Sequence, residues 1–164
     1  MRYGQIRRYD VGNGPGIRSS IFVTGCSHKC PGCFNEEYQD FKAGKEWTDQ
    51  ENQLLISYLS DSNVKGLTIL GGEPFQNIKG LVDMIRAVKK EVDKEIWIYS
   101  GYLFEDLIVR EDAWELLSLC DVLVDGLFIE EEKNLKLKFR GSENQRIIDL
   151  KQSLTLSKPI LMNI

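Results

Sequence analysis

The segment IFVTGCSHKCPGCFN, Ile21–Asn35, joins a short apolar run to a loop that holds three cysteines and the only histidine of the 164-residue chain. The apolar run predicts a buried strand that ends where the loop begins. The loop cysteines are spaced Cys26-x-x-x-Cys30-x-x-Cys33, and the fourth cysteine, Cys120, is distant in sequence. The segment therefore predicts a sheet strand that leads directly into a cluster of thiols.

Short apolar runs alternate with amphipathic segments along the rest of the chain. We expect strands at Ile21–Gly25, Leu67–Pro74, Ile96–Gly101 and Asp121–Gly126, and helices at Thr48–Ser60, Gly80–Val92 and Glu111–Leu119. This alternation is typical of a parallel sheet covered by helices, in an α/β fold. Right-handed crossovers wind such a sheet into an open sheet or a barrel. The length suits a single domain, residues 1–164.

Each predicted strand ends in small or polar residues. These ends are Gly25-Cys26, Gly71-Gly72-Glu73, Ser100-Gly101 and Asp125-Gly126. The carboxyl ends of parallel strands lie on one edge of the sheet, where ligands bind. We therefore expect the cysteine loop, the glycine pair, Ser100 and Asp125 to converge on one site.

Composition and charge exclude several classes of function. The formal net charge of −4 provides no positive field for nucleic acid or an anionic membrane. The N-terminal sequence lacks the apolar stretch of a signal peptide and no run is long enough to span a membrane, so we expect a cytoplasmic protein. In that reducing compartment, clustered thiols more often bind metal or perform redox chemistry than form disulfides. A Ser-His-Asp hydrolase would have to use His28, between two cysteines, and is not expected.

Three thiols in one loop can hold zinc or an iron–sulfur cluster. A closed zinc site usually uses two separated pairs of ligands, and only Cys30 and Cys33 have that spacing. His28 lies too close to the cysteines to turn back to the same ion, and Cys120 is expected in the core, at the opposite edge of the sheet. A 4Fe–4S cluster on Cys26, Cys30 and Cys33 would leave one iron open for another ligand. The spacing favours the cluster and leaves zinc open.

Two sets of motifs resemble a known family. The cysteine spacing followed by GGEP resembles the radical S-adenosylmethionine enzymes, in which the open iron binds S-adenosylmethionine. A longer series is similar to the activating proteins of anaerobic ribonucleoside-triphosphate reductase, which belong to the glycyl-radical activases. The series is NGPGIR (Asn13–Arg18), GCSHKCPGCFN (Gly25–Asn35), GGEP (Gly71–Pro74), IWIYSGY (Ile96–Tyr102), DVLVDG (Asp121–Gly126) and RGSENQRIIDL (Arg140–Leu150).

The resemblance implies a fold and a reaction. The fold would be an incomplete (β/α) barrel, with the 4Fe–4S cluster on Cys26, Cys30 and Cys33. The reduced cluster would cleave S-adenosylmethionine to methionine and a 5′-deoxyadenosyl radical, which takes a hydrogen atom from a glycine Cα of the reductase. No side chain need act as a catalytic acid or base, because cluster and cofactor carry the chemistry.

The resemblance also implies where the cofactor binds. The backbone at Gly32, Cys33 and Phe34 would contact the adenine, and the segment from Gly71 and Gly72 to Glu73 would take the methionine amino group. Paired glycines without Cβ atoms would allow this ligand to approach the backbone. Ser100 and Asp125 fit ribose or methionine contacts and equally fit structural caps.

The resemblance implies the large subunit of the reductase as partner and an electron donor such as flavodoxin, and it allows a homodimer. Arg140 and Gln145 fit either packing or docking of the reductase. They follow LKLKFR, Leu135–Arg140, whose alternation predicts an edge strand. Two alternatives stay open: an activase of another glycyl-radical enzyme such as pyruvate formate-lyase, and a non-catalytic zinc or iron–sulfur module.

Overall fold

The computed structural model describes all residues, 1–164, and contains one seven-stranded sheet in the order β3-β1-β2-β4-β5-β6-β7. The strands are β1 Arg2–Asp10, β2 Arg18–Val23, β3 Lys45–Glu46, β4 Gly66–Gly71, β5 Glu95–Ser100, β6 Val122–Asp125 and β7 Arg146–Asp149. The helices are α1 Asp49–Leu59, α2 Ile78–Lys89, α3 Phe104–Ile108, α4 Trp114–Leu119 and α5 Leu150–Leu156. The α/β class predicted from the alternation is confirmed.

The sheet is mixed, with parallel strands only at its centre. Strands β2, β4, β5 and β6 run parallel, and they are the four strands predicted from the apolar runs. Strands β1, β3 and β7 extend the sheet with antiparallel pairs. All four carboxyl ends of the parallel strands therefore lie on one edge, as the sequence predicts.

The two faces of the sheet are covered differently. Alternate strand residues such as Ile21, Ile69 and Ile98 pack with the helices in a core cluster of 24 buried residues. The opposite face carries a smaller cluster around Trp97, against which Phe139 from a loop packs edge-on, with ring centroids 5.6 Å apart. The second face thus has a loop covering and no helix layer. No helix is long and apolar enough to cross a membrane.

The helix predictions hold in most details. Thr48 and Glu51 form a capping box at the start of α1, as their spacing of three residues predicts. Leu54 and Leu55 lie one turn before Tyr58 and Leu59, a spacing that predicts one buried face. Leu55 is buried, whereas Leu54 is 41% exposed. In α2 the helical spacing of Leu81, Met84, Ile85 and Val88 predicts a buried stripe, and all four are buried.

The edge strand predicted at Leu135–Arg140 is wrong. These residues form turns and bends, and the only bridge nearby pairs Lys133 with Ser142. Only part of the alternation corresponds to burial: Phe139 packs on Trp97 and Lys138 is exposed, but Leu135 is 80% exposed. Phe139 has a φ of 63°, a left-handed conformation that interrupts an extended segment.

Candidate functional site

A cavity of about 430 Å³ lies at the carboxyl ends of β2, β4 and β5 and continues over the loop-covered face of the sheet. This volume is in the usual range for small-molecule and cofactor sites, about 300–1,000 Å³. Among the residues predicted for the site, the cavity wall contains Cys26, Cys30, Cys33, Phe34, Gly71, Gly72, Glu73 and Ser100. The predicted convergence of strand ends and cysteine loop is therefore observed.

The cysteine loop takes its shape from residues in left-handed conformations. Gly25, Lys29 and Gly32 have φ values of 101°, 53° and 72°. The backbone N–H of Cys33 donates to the Cys30 carbonyl at 3.2 Å, which closes a turn between these two cysteines. The loop thereby curls so that all three thiols line the same cavity.

All four cysteines are free, but their environments differ. Burial raises the pKa of the Cys26 and Cys30 thiols, and nearby backbone N–H groups partly offset this effect. Cys120 is 3% exposed, belongs to the helix-covered core and directly precedes β6, at the opposite edge of the sheet. The prediction that Cys120 is a core residue is confirmed.

The donor set fits an iron–sulfur cluster. Three thiols face one cavity, and thiolates are the ligands that such clusters use. No three side chains among His, Cys, Asp and Glu converge on a single point as the ligands of one ion would. A cluster binds its thiolates through different iron atoms and does not require such convergence.

Gly71 and Gly72 have a packing role in addition to the ligand approach predicted for them. A Cβ at Gly71 would lie 2.5 Å from the Val23 carbonyl oxygen, and one at Gly72 would lie 2.6 Å from that of Gly25. Both contacts are with the chain's own backbone, where β4 passes the end of β2. The close packing of the two strand ends therefore requires glycine at both positions, independently of any role in ligand binding.

Glu73 is buried, its carboxylate accepts hydrogen bonds from three donors, and a fourth polar group, His28 Nε2, lies within hydrogen-bond distance. Oε1 accepts from the Gly101 N–H at 2.7 Å and lies 2.8 Å from His28 Nε2. Oε2 accepts from the Phe75 N–H at 2.8 Å and the Ser100 hydroxyl at 2.9 Å. With 1% of the residue exposed, the carboxylate joins the ends of β4 and β5 to the cysteine loop.

His28 is the polar residue at the centre of the site for which sequence reasoning assigned no role. The spacing excluded it as a ligand of the same ion and suggested no other role. In the structure its ring lines the cavity, bonds to Glu73 and packs edge-on against Tyr102, with ring centroids 4.6 Å apart. His28 and Glu73 are 45 positions apart, so no local sequence pattern predicts their contact. The predicted convergence of the strand ends is the one signal that places the two residues near each other.

Two predicted contact residues do not line the cavity. Asp125 is fully buried, and its carboxylate accepts from the Phe104 N–H at 2.7 Å and from Arg146. It is therefore placed as a structural cap, one of the two roles considered for it. Gly32 lies behind the cysteines, where an added Cβ would be 2.9 Å from the Glu130 side chain.

Side-chain hydrogen bonds hold the segment Arg140–Arg146 in place. Gln145 Oε1 accepts from the Gly141 N–H at 2.8 Å, and its Nε2 donates to the Gly126 carbonyl at 3.0 Å. Arg146 pairs with Asp125, which raises the pKa of its guanidinium, and with Glu105. The segment thereby fixes the loop that forms one wall of the cavity, a packing role.

Asn13, in the NGPGIR motif that carries the family resemblance, also lines the cavity. Further cavity residues come from the loop-covered face of the sheet and were not predicted: Phe22, Leu70 and Tyr99. The Tyr99 hydroxyl donates to the Phe139 carbonyl at 2.5 Å, and burial raises its pKa. These side chains alternate with core residues, so period-two alternation within each strand is the signal that could have identified them.

Comparisons with known proteins agree with this geometry. The family model described as a 4Fe-4S single cluster domain matches residues 12–148. The chain is 41% identical over 152 residues to the anaerobic ribonucleoside-triphosphate reductase-activating protein of Haemophilus influenzae, covering 90% of this chain and 97% of that one. The protein of the same name from Enterobacteria phage T4 is also 41% identical, with 90% and 93% covered. That of Escherichia coli K12 is 34% identical over 156 residues, with 92% and 100% covered.

Proposed function

Since the chain belongs to the family of anaerobic ribonucleoside-triphosphate reductase-activating proteins and contains its 4Fe-4S single cluster domain, we propose that it is a radical S-adenosylmethionine oxidoreductase. It generates a glycyl radical on anaerobic ribonucleoside-triphosphate reductase. The observation that carries this proposal is the single cavity shared by three loop thiols and the ends of β4 and β5.

The residues that would hold the two cofactors follow from the cavity. Cys26, Cys30 and Cys33 are the cluster ligands, and the fourth iron is left for S-adenosylmethionine. When bound and reduced, the cluster supplies the electron that cleaves the sulfonium and releases methionine and a 5′-deoxyadenosyl radical. Phe34, whose ring is half-exposed at the cavity, is available to contact the adenine.

The hydrogen bonds of Glu73 support a more specific proposal for the methionine amino group. The Glu73 carboxylate already has three donors and His28 Nε2 within hydrogen-bond distance, one group for each of its lone-pair positions. We therefore assign the amino group to backbone carbonyls of Gly71 and Gly72, with Glu73 fixing the segment from behind. Ser100 donates to Glu73 and acts through it.

The fold and the surroundings of the cavity extend the proposal. We interpret the open sheet as a shortened, incomplete barrel whose inner face carries Phe22, Leu70 and Tyr99. Residues 1–164 act as one domain.

The exposed side chains of Phe34 and Leu135 lie at the cavity, which is open to solvent there, so a partner could cover it. Closure by the large subunit of the reductase would exclude water from the radical. A flavodoxin-type donor supplies the electron, and the free thiols fit a reducing cytoplasm.

The test is anaerobic reconstitution with iron and sulfide, followed by a strong reductant and S-adenosylmethionine. We expect 5′-deoxyadenosine, and a glycyl-radical resonance when the purified reductase large subunit is added. Cleavage with a radical only on pyruvate formate-lyase would assign the other activase function. A protein that incorporates an iron–sulfur cluster but does not cleave S-adenosylmethionine, or that binds zinc instead of the cluster, would be a non-catalytic module. Either result would overturn the proposal.

A further inference from the structure

The side chain of His28 connects the middle of the cysteine loop to the opposite wall of the cavity. We propose that His28 is a positioning residue, which fixes the cysteine loop against the ends of β4 and β5 through its hydrogen bond to Glu73. This inference rests on the proposed function, because it concerns the alignment of the cluster ligands with the segment that takes S-adenosylmethionine.

The His28–Glu73 contact is well placed to resist movement. Nε2 and Oε1 are 2.8 Å apart, and the two side chains are 15% and 1% exposed. Because three other donors already point at the Glu73 carboxylate, it acts as acceptor and we assign the hydrogen to His28 Nε2. A hydrogen bond to a charged group away from water is stronger than one between neutral groups.

His28 is also close to the first cysteine along the chain. Only Ser27 separates it from Cys26, and both residues line the same cavity. The position of a proposed ligand is therefore linked through two peptide units to a side chain that is bonded to the strand ends. Movement of the ring away from Glu73 would shift Cys26 relative to β4.

A second contact between the same segments is weaker. The Ser27 N–H donates to Gln76 Oε1 at 3.0 Å, and Gln76 Nε2 donates to the Ser27 hydroxyl at 2.7 Å. Both bonds are exposed to solvent, where water competes for the same groups. The start of the loop is also held by the backbone bond from the Glu73 N–H to the Gly25 carbonyl, at 2.8 Å. Beyond Gly25, the part-buried His28–Glu73 bond is accordingly the stronger of these two side-chain restraints.

Two substitutions separate the hydrogen bond from the ring. His28→Phe keeps an aromatic ring against Tyr102 but cannot donate to Glu73. His28→Gln loses the ring, and its amide nitrogen can still donate to the carboxylate. Tyr102→Phe is the matched control, since it keeps the ring contact and removes only the hydroxyl bonded to Gln76.

The experiment uses the full chain, reconstituted anaerobically, with three measurements: iron and sulfide content, the reduction potential of the cluster, and the Kd of S-adenosylmethionine in the oxidised state. We expect His28→Phe to retain the cluster, shift its potential and raise the Kd by about tenfold or more. We expect His28→Gln and Tyr102→Phe to stay close to the unsubstituted protein.

The outcomes distinguish this inference from the proposed function. If the unsubstituted protein binds no S-adenosylmethionine, the proposed function fails, and the reduction potentials alone decide the role of His28. An unchanged potential and Kd in a cluster-loaded His28→Phe protein would overturn the inference. If His28→Phe does not fold, His28→Gln is the test. Because Gln can still donate to Glu73, a shifted reduction potential or a raised Kd in that variant would contradict a role based on the hydrogen bond.

Discussion

Gly72 and Gly25 lie in direct backbone contact, so that a Cβ on Gly72 would be 2.6 Å from the Gly25 carbonyl oxygen. The same carbonyl accepts the Glu73 N–H at 2.8 Å. The residue that begins the cysteine loop is thus held against the end of β4. The glycine pair and the cysteine spacing, which look like separate motifs in the sequence, form one structural unit.

This contact predicts that Gly72→Ala disturbs the cysteine loop as well as any ligand site. The added methyl group meets backbone, which must shift, at a cost of about 1–3 kcal/mol in unfolding free energy. We expect less iron and sulfide to be incorporated although all cysteines remain. Gly12→Ala is the control, since its Cβ would be 3.8 Å from Asp10 Oδ1, an ordinary contact distance. Full iron content in the Gly72 variant would show that the contact is dispensable.

The position of the cysteines predicts a clear division among them. Replacing Cys26, Cys30 or Cys33 by Ala should abolish cluster incorporation and cleavage of S-adenosylmethionine. Cys120→Ala should keep both, with a loss of stability on the order of 1 kcal/mol from the buried sulfur. Iron, sulfide and 5′-deoxyadenosine are measured after reconstitution. Loss of the cluster in the Cys120 variant would disprove the three-ligand assignment.

The ion pair between Arg146 and Asp125 predicts a large effect far from the thiols. Arg146→Met leaves a fully buried carboxylate without its charged partner, and we expect a loss of about 3 kcal/mol in unfolding free energy. Glu105→Gln removes only the charge of the second, half-exposed partner of the same arginine and should cost less than about 1 kcal/mol. Urea unfolding of both variants measures the difference. Equal losses would mean that Asp125 does not depend on Arg146.

Asp10 predicts an effect of pH on stability. Burial alone would raise the pKa of its carboxyl, but hydrogen bonds from Asn13, Ser20 and the Gly12 N–H outweigh burial and lower it. A lowered pKa stabilises the folded state fully above the ordinary value of about 4, and this contribution is lost as the pH falls through the folded value.

We therefore expect Asp10→Asn to cost about 1–3 kcal/mol at pH 7 and progressively less as the pH falls below about 4. Urea unfolding of the iron-free protein at several pH values is the measurement, with the unsubstituted chain as reference. The same difference between the two proteins at pH 7 and at about pH 3 would contradict the assigned role of the carboxylate.

The centre of the sheet and its ligand-binding edge could be predicted because their signals are local. Fully apolar strands such as Ile96–Tyr99 predict burial on both faces, and their polar ends predict a shared site. Strand β1 could not be predicted, since much of its sequence, RYGQIRRYD, is partly exposed and lacks an apolar alternation. Its pairing with β2 and β3 supplies the strand conformation.

The details of the cavity wall depend on contacts that no sequence window contains. The His28–Glu73 bond joins residues 45 positions apart. The expected ligand role of the glycine pair was incomplete because the nearest neighbour of Gly72 is backbone from β2's end, not open space. The alternation at Leu135–Arg140 was misinterpreted because Phe139 packs on Trp97 from a turn with a φ of 63°, whereas Leu135 stays 80% exposed.

Direct hydrogen abstraction from the reductase is the central claim, and deuterium transfer tests it most directly. Reductase large subunit labelled with deuterium at glycine Cα is incubated with the reconstituted protein, S-adenosylmethionine and a reductant. We predict one deuterium atom in 5′-deoxyadenosine, appearing together with the glycyl-radical resonance. A reductase that acquires its radical while the nucleoside stays unlabelled would contradict direct abstraction.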